Sequence, residues 1–225
     1  MKKHVLAALA LLFTLTGCLT IEENYTFKKN GGGSMEYVVD LSEMGDLLKG
    51  LEGLGGDKDK DDDGMGALDL KGDVDALKGL PGISKVKLSK KDWVQKISFQ
   101  FKDIASLNAA LNALMPDSSG VPHTFFAWEG NTLVRTNNDH ARELGEGMGK
   151  ETAEEGEEEG ADMGAMLAMM KYRYSFSFPD DIATTENAEG VVREDPKANV
   201  VKLSTDWSVI ANDPKALDLR ISLNK

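Results

Sequence analysis

Apolar and polar residues alternate one for one in run after run of this chain, and a two-residue period confines most of it to β-sheet. Ile21, Glu23, Tyr25 and Phe27 fall on one face of the first run, with Glu22, Asn24, Thr26 and Lys28 on the other. Lys29-Asn30-Gly31-Gly32-Gly33 follows and supplies the positive-φ residues that a hairpin turn needs. Met35, Tyr37, Val39 and Leu41 then continue the apolar face on a return strand. A second hairpin sets Val86 and Leu88 between Lys85 and Lys87, turns at Lys90-Lys91-Asp92, and returns through Trp93, Ile97, Phe99 and Phe101. Residues 123–128 and 131–136 read as a third, turned at Glu129-Gly130-Asn131. Further on, Tyr172, Tyr174, Phe176 and Phe178 form an aromatic stripe opposite Arg173, Ser175 and Ser177. Val201, Leu203 and Thr205 predict another strand, and Leu217, Leu219, Ile221 and Leu223 a last one.

Helical spacing interrupts these strands. Leu41, Met44, Leu47 and Leu48 suggest a short helix capped by Ser42, and Val74, Leu77 and Leu80 a second, stopped by Pro81-Gly82. Ile104, Leu107, Leu111 and Leu114 mark the best-defined helix, ended by Pro116. Hairpins punctuated by helices, with one polar face per strand, predict an α+β fold: an antiparallel sheet with helices packed on one face.

Two stretches lack the aliphatic content to join that core. Residues 50–67 form an acidic loop, and 137–164 are rich in Gly and Glu, so both are expected to be flexible insertions. The expected organisation is one domain in pieces: 18–136, the insertion 137–164, and the final strands within 165–225.

Residues 1–17 are set apart from this domain. Lys2 and Lys3 precede an apolar run from Val5 to Leu15, too short to span a bilayer, and Leu15-Thr16-Gly17-Cys18 closes it. This resembles the lipobox of bacterial lipoproteins, which implies cleavage before Cys18 and lipidation of that residue. Loss of two lysines with the signal peptide would move the net charge from -12 to -14. That charge argues against nucleic acid as a partner and against purely electrostatic adhesion to anionic lipid. Acyl chains would hold the protein instead, each buried CH₂ contributing about 0.8 kcal/mol. Cys18 is the only cysteine, so the fold has no disulfide and depends on its hydrophobic core. In Gram-negative lipoproteins an uncharged residue such as Leu19 after the cysteine implies the outer membrane, on its periplasmic side.

The mature chain also resembles the LppM-type lipoprotein domain family. The resemblance rests on the lipobox, the Lys29 to Gly33 turn, the strand and short helix from Val38 to Leu48, and Phe178-Pro179 at a strand end. It implies an envelope protein, and lipid binding has been suggested for the type. The two acidic insertions and the lack of a C-terminal membrane helix depart from the pattern.

Candidate sites are few. Asp59, Asp61 and Asp63 alternate ahead of Gly64, like the first half of a calcium loop, but position twelve is Leu70 where a bidentate carboxylate belongs. A solvated acidic loop is the favoured reading, with weak Ca²⁺ occupancy as the alternative; no other cofactor is implied. Met163, Met166, Met169 and Met170 have thioethers suited to Cu(I), yet their spacing equally describes a helix packed on a core. The Glu151–Glu159 run reads as hydrated surface. Only His123 and His140 would remain as neutral-pH bases, and Asp180-Asp181 reads as a turn. No nucleophile, metal or phosphate-loop motif is present, so a non-catalytic protein is expected. Trp93, Trp128, Trp207 and the Tyr172–Phe178 stripe form either ordinary core or an apolar groove for a lipid tail.

Overall fold

The structure is a computed structural model that describes residues 19–43, 45, 70–115, 120–136 and 163–224. The unbroken alternation of Leu19–Phe27 makes strand β1, with Leu19, Ile21, Glu23, Tyr25 and Phe27 all buried. The chain turns at Lys28–Gly32 and returns antiparallel as β2, Gly33–Asp40. Of the glycines in that turn only Gly31 takes a positive φ, of 83°. Gly33 is required for space instead: a Cβ there would lie 2.2 Å from the Thr26 carbonyl and 2.5 Å from the Phe101 ring.

β3 (Ile83–Lys91) and β4 (Val94–Phe101) form the next hairpin, and β4 pairs with β2 along its whole length. β7 (Met170–Ser177) lies on the other side of β1 and runs parallel to it, a pairing between segments far apart in sequence. β9 (Val192–Lys197) and β10 (Val200–Asp206) complete a seven-stranded sheet in the order β3-β4-β2-β1-β7-β10-β9. A second, four-stranded antiparallel sheet comprises β5 (Phe126–Glu129), β6 (Thr132–Arg135), β8 (Ile182–Asn187) and β11 (Leu219–Leu223), in the order β5-β6-β11-β8.

The α+β architecture expected from the alternation is therefore present. One face of the large sheet carries the core, and helices and the small sheet share the cover. Helices α1 (Lys71–Lys78) and α2 (Ile104–Leu114) pack at the β3–β4 flank, while α3 (Met163–Met169) and α4 (Trp207–Asn212) pack against β7 and β10. Asp103 caps α2 by accepting from the Ser106 N–H, and Asp206 caps α4 by accepting from Ser208 and Val209. The small sheet lies over the centre. There Phe126 meets Tyr25 edge-on at 5.0 Å, while Tyr25 stacks on Phe176 at 5.1 Å. Phe27 stacks on Phe178 at 5.3 Å and takes the edge of Trp128 at 5.9 Å. Phe27, Phe126, Phe176 and Phe178 are buried, and each such ring contributes about 1.5–3 kcal/mol.

The Tyr172–Phe178 stripe is thus core and not an open groove, because the second sheet closes over it. Three elements had no counterpart in the alternation. β8 and β9 are edge strands that bury little, and α4 is only a turn and a half long. The expected helix after Ser42 falls mostly outside the described residues, as does nearly all of 137–164.

Candidate functional site

The uncovered face of the large sheet carries Glu22, Asn24 and Thr26 of β1 beside Arg173 and Ser175 of β7, by register. Two shallow polar concavities of about 550 and 370 Å³ lie on this face and meet at Asn24. In the larger, Arg173 donates to the Glu22 carboxylate at 3.2 Å and Ser175 to the Asn24 side-chain carbonyl at 2.6 Å. Lys171 and Lys202 line the same hollow. The smaller holds Glu36, Lys85 and Lys87; Lys96 of the adjoining strand binds Glu36 at 3.0 Å. Bulges in β3 and β9 break the ladder at both edges, as bulges do where a sheet curls. Charged, amide and hydroxyl side chains make up most of the lining of this face, with exposed Val192 at its edge, groups that can exchange hydrogen bonds with a polar ligand or protein surface.

A second polar constellation is sealed inside. Glu23 sits on the apolar face of β1, and Arg135 ends β6 on its buried face. The Glu23 carboxylate accepts hydrogen bonds from Arg135 at 2.7 Å, Tyr25 at 2.9 Å and Tyr172 at 2.5 Å. The guanidinium lies 5.0 Å from the Tyr174 ring centroid and also donates to the Leu217 carbonyl at 3.4 Å. Burial pushes the phenols of Tyr25 and Tyr172 well above their ordinary range, and the Glu23 charge adds to it. Tyr174 is pushed up to about 12, chiefly by burial. Burial opposes the Arg135 charge, but Glu23 and the phenols outweigh it and hold the proton more tightly. With Glu23 at 0% and Arg135 at 2% exposure, this cluster fastens the two sheets together and is closed to any substrate. Reading the sequence by motifs missed it. The signal was there: a carboxylate and a guanidinium each occupy an apolar parity of a strand.

The residues singled out from sequence are scattered. Cys18 lies outside the described residues, one position before buried Leu19. Asp59, Asp61, Asp63 and His140 also lie outside them. Leu70, the twelfth position of the would-be calcium loop, is 7% exposed and belongs to the core. Its N–H donates to the Gln95 carboxamide oxygen at 3.5 Å. The methionine cluster divides, since Met169 is 45% exposed and Met170 is buried at the start of β7. His123 is held by Asn112, which accepts from its N–H at 2.7 Å and donates to its carbonyl at 2.8 Å. Asp180 pairs with Lys29 at 3.3 Å. Trp207 is buried, and Trp93 and Trp128 are half-buried against the core. Among the described residues no group of three His, Cys, Asp or Glu side chains is placed to hold a metal ion, and no helix is long and apolar enough to cross a membrane.

No protein-family model and no curated protein matches the chain. Among solved structures it is similar to the NMR structure of the folded domain of LppM from Mycobacterium tuberculosis, at 12% identity and a TM-score of 0.46. That alignment covers 93% of this chain and 91% of the other. At this level the likeness carries no inference about family or activity.

Proposed function

We propose that the chain is a non-catalytic lipoprotein of the bacterial envelope, anchored by acyl groups on Cys18 and presenting the polar face of its larger sheet to a partner there. The observation that carries this reading is Leu15-Thr16-Gly17-Cys18, placed after a basic start and a short apolar run and directly before β1. The partner is an envelope protein or a lipid headgroup in preference to an acyl chain. The aromatic stripe is sealed by the second sheet, and the exposed hollows are lined mainly by charged, amide and hydroxyl residues, with Val192 as the exposed apolar side chain. The buried Glu23–Arg135 pair is closed to solvent and offers no acid or base to a substrate. Leu19 after the cysteine favours the periplasmic side of the outer membrane in a Gram-negative envelope.

Metabolic labelling with radioactive palmitate in a bacterial host tests this. The unaltered chain takes up label at its processed size, whereas Cys18→Ala accumulates as unlabelled precursor. Equal labelling of the two would refute the anchor.

A further inference from the structure

The start of β1 fixes which end of the domain a lipid at Cys18 can reach. A single peptide unit of about 3.8 Å separates Cys18 from Leu19, and Leu19 is already paired in the sheet opposite Met170. The anchor therefore enters at one end of the sheet, not on a stalk. The hairpin turn at Lys28–Gly32 is at the far end, about 27 Å away along nine residues of strand.

The strand registers identify what else lies at the entry end. Thr20 is level with Asp40, Asp40 with Val94, and Val94 with Lys91, so the tip of the β3–β4 hairpin reaches the same rim. On the opposite side of β1, Thr20 is level with Lys171 and Lys171 with Asp206. Exposed Met169 stands one residue beyond Leu19's partner. The rim carries charges of both signs. Asp40 accepts from the Ser42 N–H at 2.9 Å, Asp206 caps α4, and Glu43 is exposed just beyond the end of β2. Lys90 and Lys91 are exposed at the hairpin tip beside Asp92, and Lys171 rests on the Ala168 carbonyl rather than on a carboxylate. The described residues as a whole carry nearly equal numbers of acidic and basic side chains.

We infer that this rim faces the bilayer, with Lys90 and Lys91 on one flank of the anchor and Met169 and Lys171 on the other at the level of the phospholipid headgroups, and that the Lys28–Gly32 turn points away from the membrane. The inference depends on the lipid anchor at Cys18. A covalent tether supplies the affinity, and its short link to β1 sets which end of the sheet faces the lipid, so the rim does not have to bind on its own.

Full-length Lys91→Cys and Lys29→Cys chains, processed in the host and labelled at the new thiol with a fluorophore, test the orientation. Both sites are exposed, so folding is not at stake. Mass spectrometry first reads acylation of Cys18. The proteins are then reconstituted into phosphatidylglycerol-containing vesicles with headgroup-nitroxide lipid. The expected result is quenching several-fold stronger at position 91 than at 29. Equal quenching in acylated protein, or stronger quenching at 29, overturns the orientation while leaving the anchor intact. Unacylated protein that fails to associate with vesicles overturns both.

Discussion

Glu23 and Arg135 stand 112 residues apart in sequence and meet at 2.7 Å between the two sheets, with neither side chain open to solvent. Removing one partner from such a pair leaves an uncompensated buried charge, which costs about 3–5 kcal/mol. Arg135→Met should therefore lower stability by about that amount. Glu23→Leu combined with Arg135→Met should recover much of the loss, since two apolar groups replace two charges. Urea unfolding of the unaltered chain, the two single variants Arg135→Met and Glu23→Leu, and the double variant decides it; additive losses in the double variant would show that the pair is not coupled.

The three phenols around this pair give the fold an alkaline limit. In the unfolded chain tyrosines titrate near 10, but burial raises Tyr25 and Tyr172 well above that and Tyr174 to about 12. Above pH 10 the unfolded state loses these protons first. The stability gained by keeping the phenols neutral is thus complete below pH 10 and drains away as pH rises through and beyond 12. The urea midpoint should fall steadily over that window, and phenolate absorbance should grow together with unfolding. Phenolate appearing from all three while the near-ultraviolet dichroism stays native would contradict the burial.

α2 holds the segment before β5 by a ladder of carboxamides. Asn108 accepts from the Phe126 N–H and donates to its carbonyl, at 2.8 and 2.9 Å, and Asn112 does the same for His123. Asn108→Ala strands two backbone groups beside buried Phe126 and should cost about 1–3 kcal/mol. Asn108→Asp retains the acceptor but loses the amide donor, and should be impaired as well. Amide exchange resolves the effect locally, with Phe126 losing protection before the rest of β5. Unchanged protection there would remove the ladder's assigned role.

The calcium reading makes an opposite kind of prediction. Asp59, Asp61 and Asp63 supply half of a ligand set, and the residue that would complete it, Leu70, is committed to the core beside α1. Titration calorimetry of the purified chain with Ca²⁺ should show no saturable heat below about 1 mM, the lower range of extracellular modules. A defined one-site isotherm in the micromolar range would require ligands from elsewhere in the chain.

A tight-packing test follows from Gly33. Alanine there places a methyl group against the Thr26 carbonyl and the Phe101 ring, so β1, β2 and β4 cannot keep their spacing. Gly33→Ala should lower the thermal midpoint clearly, whereas Gly72→Ala on the open side of α1 should not. Comparable midpoints for the two would mean that the approach at Gly33 relaxes freely.

The residues themselves determined much of this protein. Period-two alternation fixed which side chains of β1, β2, β4, β7 and β10 face inward, because successive side chains of any extended strand point to opposite sides. The spacing of Ile104, Leu107, Leu111 and Leu114 likewise set α2, and Leu15 to Cys18 supplied the anchor reading. Alternation says nothing about which strand lies beside which. The parallel pairing of β1 with β7, the division into two sheets, and the closure of the aromatic stripe by Phe126 and Trp128 are choices among distant segments. They are made by the total surface buried, not by any local pattern. For the same reason alternation placed Glu23 on the inner face of β1 without indicating Arg135, the partner that tertiary structure brings to it. The edge strands β8 and β9 stayed hidden because an edge buries little and needs no apolar face.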